Sequence, residues 1–232
     1  IIMRNFIDID KSDYINAINL QLGLYDPLKG FVTHEEYKSI LSKKKINNIH
    51  FTIPINIFCS KAKYKKLELG EIIDLKYKKD IIGFLVLKSK FKVEKNFFLN
   101  SIFKTTSRKH QGVNNFLKKI DHLPYSLGGK VFVYQKKTHR HLKNSNFDLI
   151  KKLKKIRNKD AVFSTRNIPH LGHNLIQKKI IETKKKLTVF LITSIKNKYK
   201  EQILIKTYKF LKKNKIFKDI NIVFISLPTF LQ

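Results

Sequence analysis

The segment Phe163-Ser164-Thr165-Arg166-Asn167-Ile168-Pro169-His170-Leu171-Gly172-His173 gathers side chains suited to anions. Arg166 offers a planar fork for a bidentate grip on an oxyanion, and Thr165 and Asn167 add neutral hydrogen-bond donors. His170 and His173 stand three apart, so on a helix both rings project from one face of the same turn. Pro169 suits a helix's first turn, where no N–H donor is needed. A loop that leaves a strand and opens a helix presents free backbone N–H groups and the positive end of the helix dipole, and phosphates sit well there.

Arginine, paired histidines and a helix N-terminus suit nucleotidyl transfer, in which an acceptor oxygen attacks the α-phosphorus of ATP and pyrophosphate departs. Such a site has little covalent chemistry to perform. It must align two anions that repel each other and stabilise the charge that accumulates. Taken alone, His-x-x-His equally fits two surface or capping histidines. Zinc is a poorer match, because the pair lacks the His-Glu arrangement at helical spacing and Cys59 is remote.

The elements that must position this loop follow from periodicity. Asp160 to Ser164 reads as a strand, Leu171 to Thr183 as a helix with Leu175, Ile176, Lys179 and Ile180 on one face, and Leu187 to Ile192 as a strand. Tyr199 to Lys213 reads as a helix with Ile203, Leu204, Tyr208 and Leu211 aligned, and Ile220 to Ser226 as a third strand. Strand and helix in alternation predict a parallel α/β sheet, which binds ligands at the carboxyl ends of its strands. The polar stretch Lys136 to Asn146 reads as a linker, with its His139 and His141 solvated, and Phe147 to Ile156 as a short helix.

Ahead of the linker the texture differs, with short strands and short helices punctuated by Gly and Pro. Ser12 is a candidate cap for a helical turn through Tyr14, Ile15 and Ile18. Thr33 and Glu36 have capping-box spacing ahead of Tyr37, Ile40 and Leu41. Phe51 to Phe58 reads as a strand interrupted by Pro54, Ile81 to Leu87 as a strand buried on both faces, and Gly128-Gly129 as a turn into a strand from Lys130 to Gln135. Phe97, Phe98, Ile102 and Phe103 read as core, His110 as part of a turn, and Cys59 as a small buried hydrophobe. Many strands with few long helices predict a small α+β domain with β-barrel character.

The chain has 232 residues, of which 42% are hydrophobic, enough to fill a core and exclude global disorder. Its longest apolar run, Ile81 to Leu87, is far too short to cross a bilayer. One cysteine excludes an internal disulfide framework, and no secretory leader opens the chain, so a cytoplasmic setting is expected. A net charge of +32 would favour polyanionic partners. The basic residues are mostly Lys, form no single block and accompany abundant Ile and Asn, as codon usage in an AT-rich genome would produce. The charge therefore indicates no specific partner, although an anionic substrate would benefit from the field.

The run from Ser164 to His173 resembles the ATP sulfurylase signature Gln-Thr-Arg-Asn-Pro-x-His-x-x-His. The resemblance continues along nearly the whole chain. Gly23 to Phe31 is similar to the family's Gly-x-x-x-Pro-Leu-x-Gly-Phe, Ile53-Pro54-Ile55 to its Pro-Ile strand, and His110 to Val113 to its His-Pro-Gly-Val. Gly128-Gly129 and Leu227-Pro228-Thr229-Phe230 fall in the family's order. The resemblance implies a PUA-like domain over residues 1–138, a linker at 139–147 and the first part of a Rossmann-like nucleotidyltransferase domain over 148–232. It implies that ATP and sulfate give adenylyl sulfate and diphosphate, with Mg2+ accompanying ATP.

The same resemblance assigns roles to residues. Ser164 and Arg166 would bind sulfate, and Thr165, Arg166 and Asn167 would assist transfer. The nucleotide would contact Ser164, Thr165, Arg166, Asn167, His170 and His173, the two histidines holding the phosphates. No protein metal ligand, membrane or nucleic-acid partner is implied, and a homo-oligomer is compatible with it. Ser164 stands where the family has a sulfate-binding Gln, Ile168 where it has its first Pro, and Ile192 to Ile195 where it has Pro-Leu-Val-Gly. The family's Ala-Gly-Pro-Arg-Glu and Gly-Arg-Asp-His segments are absent, so an incomplete catalytic domain is expected. Alternatives from the same residues are transfer to another anionic acceptor, an inactive homologue and an RNA-binding homologue.

Overall fold

The structure, a computed structural model, describes residues 4–135, 153, 160–183, 186–193, 198–213 and 220–226. The chain divides into two compact units, the first within residues 1–143 and the second within residues 144–229.

The first unit is organised by a mixed sheet of six strands. These are β1 (Phe6–Asp8), β2 (Gly30–Phe31), β5 (Ile57–Cys59), β6 (Ile72–Tyr77), β7 (Asp80–Lys92) and β8 (Tyr125–Val133), in the order β1-β6-β7-β8-β2 with β5 also on β8. Only the β1–β6 pairing is parallel. A two-strand ribbon, β3 (Lys45–Ile46) and β4 (Ile49–His50), stands apart. The helices are α1 (Lys11–Gln21), α2 (His34–Lys43), α3 (Lys61–Lys66), α4 (Lys95–Ile102) and α5 (Gln111–His122).

Local chemistry explains several boundaries. Thr33 and Glu36 form the expected capping box at α2. Asp10, not Ser12, caps α1, because Asp10 and Asp13 satisfy each other's backbone N–H groups reciprocally. His110 caps α5, its Nδ1 accepting from the N–H of Gly112 at 3.1 Å and of Val113 at 3.4 Å. Cys59 and Phe98 are buried, whereas Phe97 is exposed.

Three further readings of this unit change. Within Phe51 to Phe58 only Ile57 and Phe58 belong to a strand, since Pro54 has no N–H for a ladder. Strand β7 is buried on one face only, alternating exposed Ile81 with buried Ile82 and half-buried Phe84 with buried Leu85. Gly128 and Gly129 lie inside β8 rather than in a turn. Gly129 has φ of +151°, and a Cβ there would stand 2.0 Å from the carbonyl oxygen of Val86 on β7. The β7–β8 register shifts beside this point, between Leu87 and Ser89. The glycine pair marks a close crossing of backbones in a bulged sheet.

The second unit carries a parallel sheet in the order β11-β10-β9. Its strands are β9 (Ala161–Thr165), β10 (Leu187–Thr193) and β11 (Ile220–Ser226), joined by α6 (Leu171–Glu182) and α7 (Lys198–Lys213). Leu187, Val189, Leu191 and Ile220 of the sheet pack with Leu204 and Tyr208 of α7. Ala161, Phe163, Ile180 and Ile181 close the same core, so both helices cover one face. On α6 the expected apolar face is only half correct. Ile180 packs inward, but Leu175 and Ile176 are 60% and 51% exposed while Gln177 is wholly buried. The predicted linker Lys136 to Asn146, including His139 and His141, lies outside the described residues. So does the predicted helix Phe147 to Ile156 apart from Leu153. No helix among the described residues is long and apolar enough to cross a membrane.

Candidate functional site

Strand β9 delivers the chain to the carboxyl end of the parallel sheet at Thr165, and α6 begins six residues later at Leu171. Thr165 is buried, and its Oγ1 accepts from the N–H of Asn167 at 3.1 Å. This short side-chain turn sets the path of Arg166 and Asn167. Both of those residues are exposed. His170 takes the N-cap position of α6 with extended backbone, φ −136° and ψ 174°, and its side chain makes no capping bond. The N–H groups of the first helical turn therefore take no bond from the side chain of their cap.

The two histidines stack, with centroids 4.0 Å apart and planes inclined by 27°. Gly172 leaves room for this, because a Cβ there would lie 3.2 Å from His170 Cε1. His173 also meets the edge of Phe163 at 5.2 Å and 73°. Its Nδ1 is buried with no hydrogen-bond partner. Burial first, and the neighbouring His170 second, hold the His173 imidazole below its ordinary pKa, so at neutral pH it is uncharged. An uncharged imidazole with its outer nitrogen protonated donates to an anion without adding a fixed charge.

The sequence-predicted residues are brought together unequally. Thr165, Asn167, His170 and His173 collect at the junction of β9 and α6. Arg166 extends from the same loop into solvent. Ser164 is exposed and sits between Phe163 and Thr165 on β9, so its hydroxyl belongs to the sheet face opposite α6. An open cleft of about 420 Å³ beside Ala161, Ile176 and Thr183 lies at the other end of β9, away from the histidines. Among the described residues no group of three or more His, Cys, Asp or Glu could hold a metal ion.

Three residues near the histidines escaped sequence reasoning. Phe163 supports the His173 ring. Gln177, one helical turn beyond His173, is fully buried with both polar atoms unpartnered, and Tyr208 on α7 is fully buried beside it. Spacing alone could not single out Gln177, because it stands four after His173 just as exposed Asn174 stands four after His170.

Known proteins resemble this chain along most of its length. Residues 3–136 match the family described as PUA-like domain. A sulfate adenylyltransferase of Pyrococcus abyssi is 28% identical over 227 residues, covering 94% of this chain and 57% of that protein. One from Ignicoccus hospitalis is 27% identical over 219 residues, covering 88% and 54%. The chain thus spans about half the length of the curated relatives it matches. Among solved structures, a hexameric APS kinase from Thiobacillus denitrificans superposes with a TM-score of 0.68 at 15% identity, covering 97% of this chain and 42% of that one. That likeness speaks for the fold alone. With residues 3–136 matched, the chain belongs to the PUA-like domain family, and it is similar to sulfate adenylyltransferases along most of its length.

Proposed function

We propose that this chain works as part of a sulfate adenylyltransferase, joining sulfate to the AMP part of ATP with release of diphosphate. The observation that carries the reading is the stacked His170–His173 pair at the N-terminus of α6, directly after the Thr165–Asn167 turn at a parallel strand's carboxyl end. In this reading a sulfate oxygen attacks the α-phosphorus in line. The bond from that phosphorus to the β-bridging oxygen breaks, and its electrons leave with diphosphate. Sulfate arrives ionised, so no base is required.

Arg166 grips sulfate through its guanidinium fork, whereas Ser164, expected to share that task, has its hydroxyl on the opposite face of the sheet. Thr165 and Asn167 hold the reacting groups in line. His170, His173 and the open N–H groups of α6 hold the nucleotide phosphates and stabilise the departing diphosphate. Mg2+ enters as part of the nucleotide substrate, since it binds through phosphates and keeps several waters.

The finer architecture belongs to the same proposal: a barrel-like PUA domain over 1–138, a linker over 139–147 and a Rossmann-like nucleotidyltransferase domain from 148. So do a cytoplasmic setting and assembly as a homo-oligomer. A second reading, transfer to a different anionic acceptor, is favoured by the place of Ser164 on the far face of the sheet. The deciding experiment measures diphosphate release by the full-length protein with ATP and Mg2+. Release that rises with sulfate supports the first reading. Release that needs a phosphorylated acceptor and ignores sulfate supports the second.

A further inference from the structure

Three polar groups of the second unit are buried without ordinary partners: His173 Nδ1, both polar atoms of the Gln177 amide, and the Tyr208 hydroxyl. Gln177 and Tyr208 are 0% exposed. Residues four apart on a helix are neighbours, and helical side chains lean toward the N-terminus. Gln177 therefore reaches back along α6 toward the turn that carries His173. On its other side the amide faces the phenol of Tyr208 without closing a hydrogen bond. Native interiors rarely leave such groups unpaired, and these three have complementary chemistry.

We propose that Gln177 is a positioning residue that joins Tyr208 to His173 and fixes which imidazole nitrogen carries the proton. The Tyr208 O–H donates to Gln177 Oε1, and Gln177 Nε2–H donates to His173 Nδ1. A ring that accepts at Nδ1 must keep its proton on Nε2, the nitrogen left to point out of the core. The site then offers an outward donor fixed in direction by a buried relay, with Phe163 and His170 bracing the ring's faces. Protonating the inner nitrogen would set two donors against each other. The rings packed against His173 are Phe163 and His170.

The usefulness of an outward donor rests on the nucleotide reading above, but the relay can be tested without it. The 232-residue chain, labelled with 15N, is titrated from pH 5 to 8, and the two ring nitrogens of His173 are followed by long-range 1H–15N correlation. The wild type is expected to show one neutral tautomer, protonated at Nε2. Gln177→Met should give a mixture of tautomers. Gln177→Glu should move the proton to Nδ1 and shift the titration of His173 upward, since a carboxylate accepts where the amide donated. Tyr208→Phe keeps the core volume and should loosen the preference, and it decides the matter if the Gln177 variants lose their fold. An Nε2–H tautomer and midpoint unchanged in every folded variant would overturn the relay. Adding ATP to the full-length protein labelled in the same way tests the nucleotide reading separately: no shift at His170 or His173 would defeat that reading and leave the tautomer result standing.

Discussion

Arg166 and His173 make opposite demands on their surroundings, and each yields a prediction. Arg166 is exposed and always charged, so its contribution is a directed grip on an anion. In the full-length protein, Arg166→Ala should lower sulfate-dependent diphosphate release by about 100-fold or more. Arg166→Lys should restore little, because an ammonium lacks the fork. His173 is instead kept neutral by burial and by His170. Its folded-state pKa lies below the unfolded one, so the unfolded chain takes the proton first as pH falls. Stability from this residue is complete above about pH 6.5 and declines as the medium becomes more acid. Thermal melting of the second unit from pH 8 to pH 5 should show that decline, and it should be weaker in His173→Asn.

At the scale of the element, two features of the first unit lend themselves to measurement. Lys119 of α5 bonds Asp10 at 3.0 Å and Asp13 at 3.0 Å, tying α5 to the start of α1. Burial pushes the Asp13 carboxyl up to about 6 against the pull of Lys119, while the same pair raises Lys119. The burial effect on Asp13 is the firmer of the two, because that side chain is 9% exposed and Lys119 28%. Lys119→Met should destabilise the first unit by about 2–3 kcal/mol, less than for a fully buried pair because Lys119 is partly solvated. An acid whose folded pKa is raised favours the folded state at low pH, and that contribution fades as pH rises from 3.8 to about 6. Urea melts of Asp13→Asn across that window should lack this component. Gly129→Ala should cost about 3 kcal/mol or more, since the methyl would collide with the Val86 carbonyl at an unfavourable φ.

Elements were legible where their cause is local. The Thr33–Glu36 box, the β9-α6-β10-α7-β11 alternation and the loop between β9 and α6 depend on short spacings. What depends on partners was not. Gly128 and Gly129 look like a turn until β7 is laid beside β8. On α6, Leu175 and Ile176 share a helical period with Ile180, and nothing in that period says that Gln177 faces the sheet. The placement of Ser164 opposite His173 likewise follows only once β9 is known to end at Thr165.

For the whole molecule, charge and exposed apolar surface decide behaviour in solution. A net charge of +32 will attract polyanions regardless of the candidate site. RNA binding of that origin should weaken steeply with added salt and survive Arg166→Ala, whereas loss with Arg166→Ala would place the contact at the β9–α6 loop. Ile168, Leu171, Leu175 and Ile176 are 51%, 72%, 60% and 51% exposed. Leu171→Ser with Leu175→Lys should reduce self-association in sedimentation velocity and change stability by no more than about 0.5 kcal/mol.

The position of β8 in its sheet has a consequence for synthesis on the ribosome. Strand β8 holds β7, β5 and β2 together, yet among the described residues it is the last strand of its unit to be made. Everything from Gly30 to Lys92 must wait in the exit region without its central partner. At about 5–20 residues per second that interval lasts seconds, long enough for a nascent chain to meet a chaperone before its sheet can close.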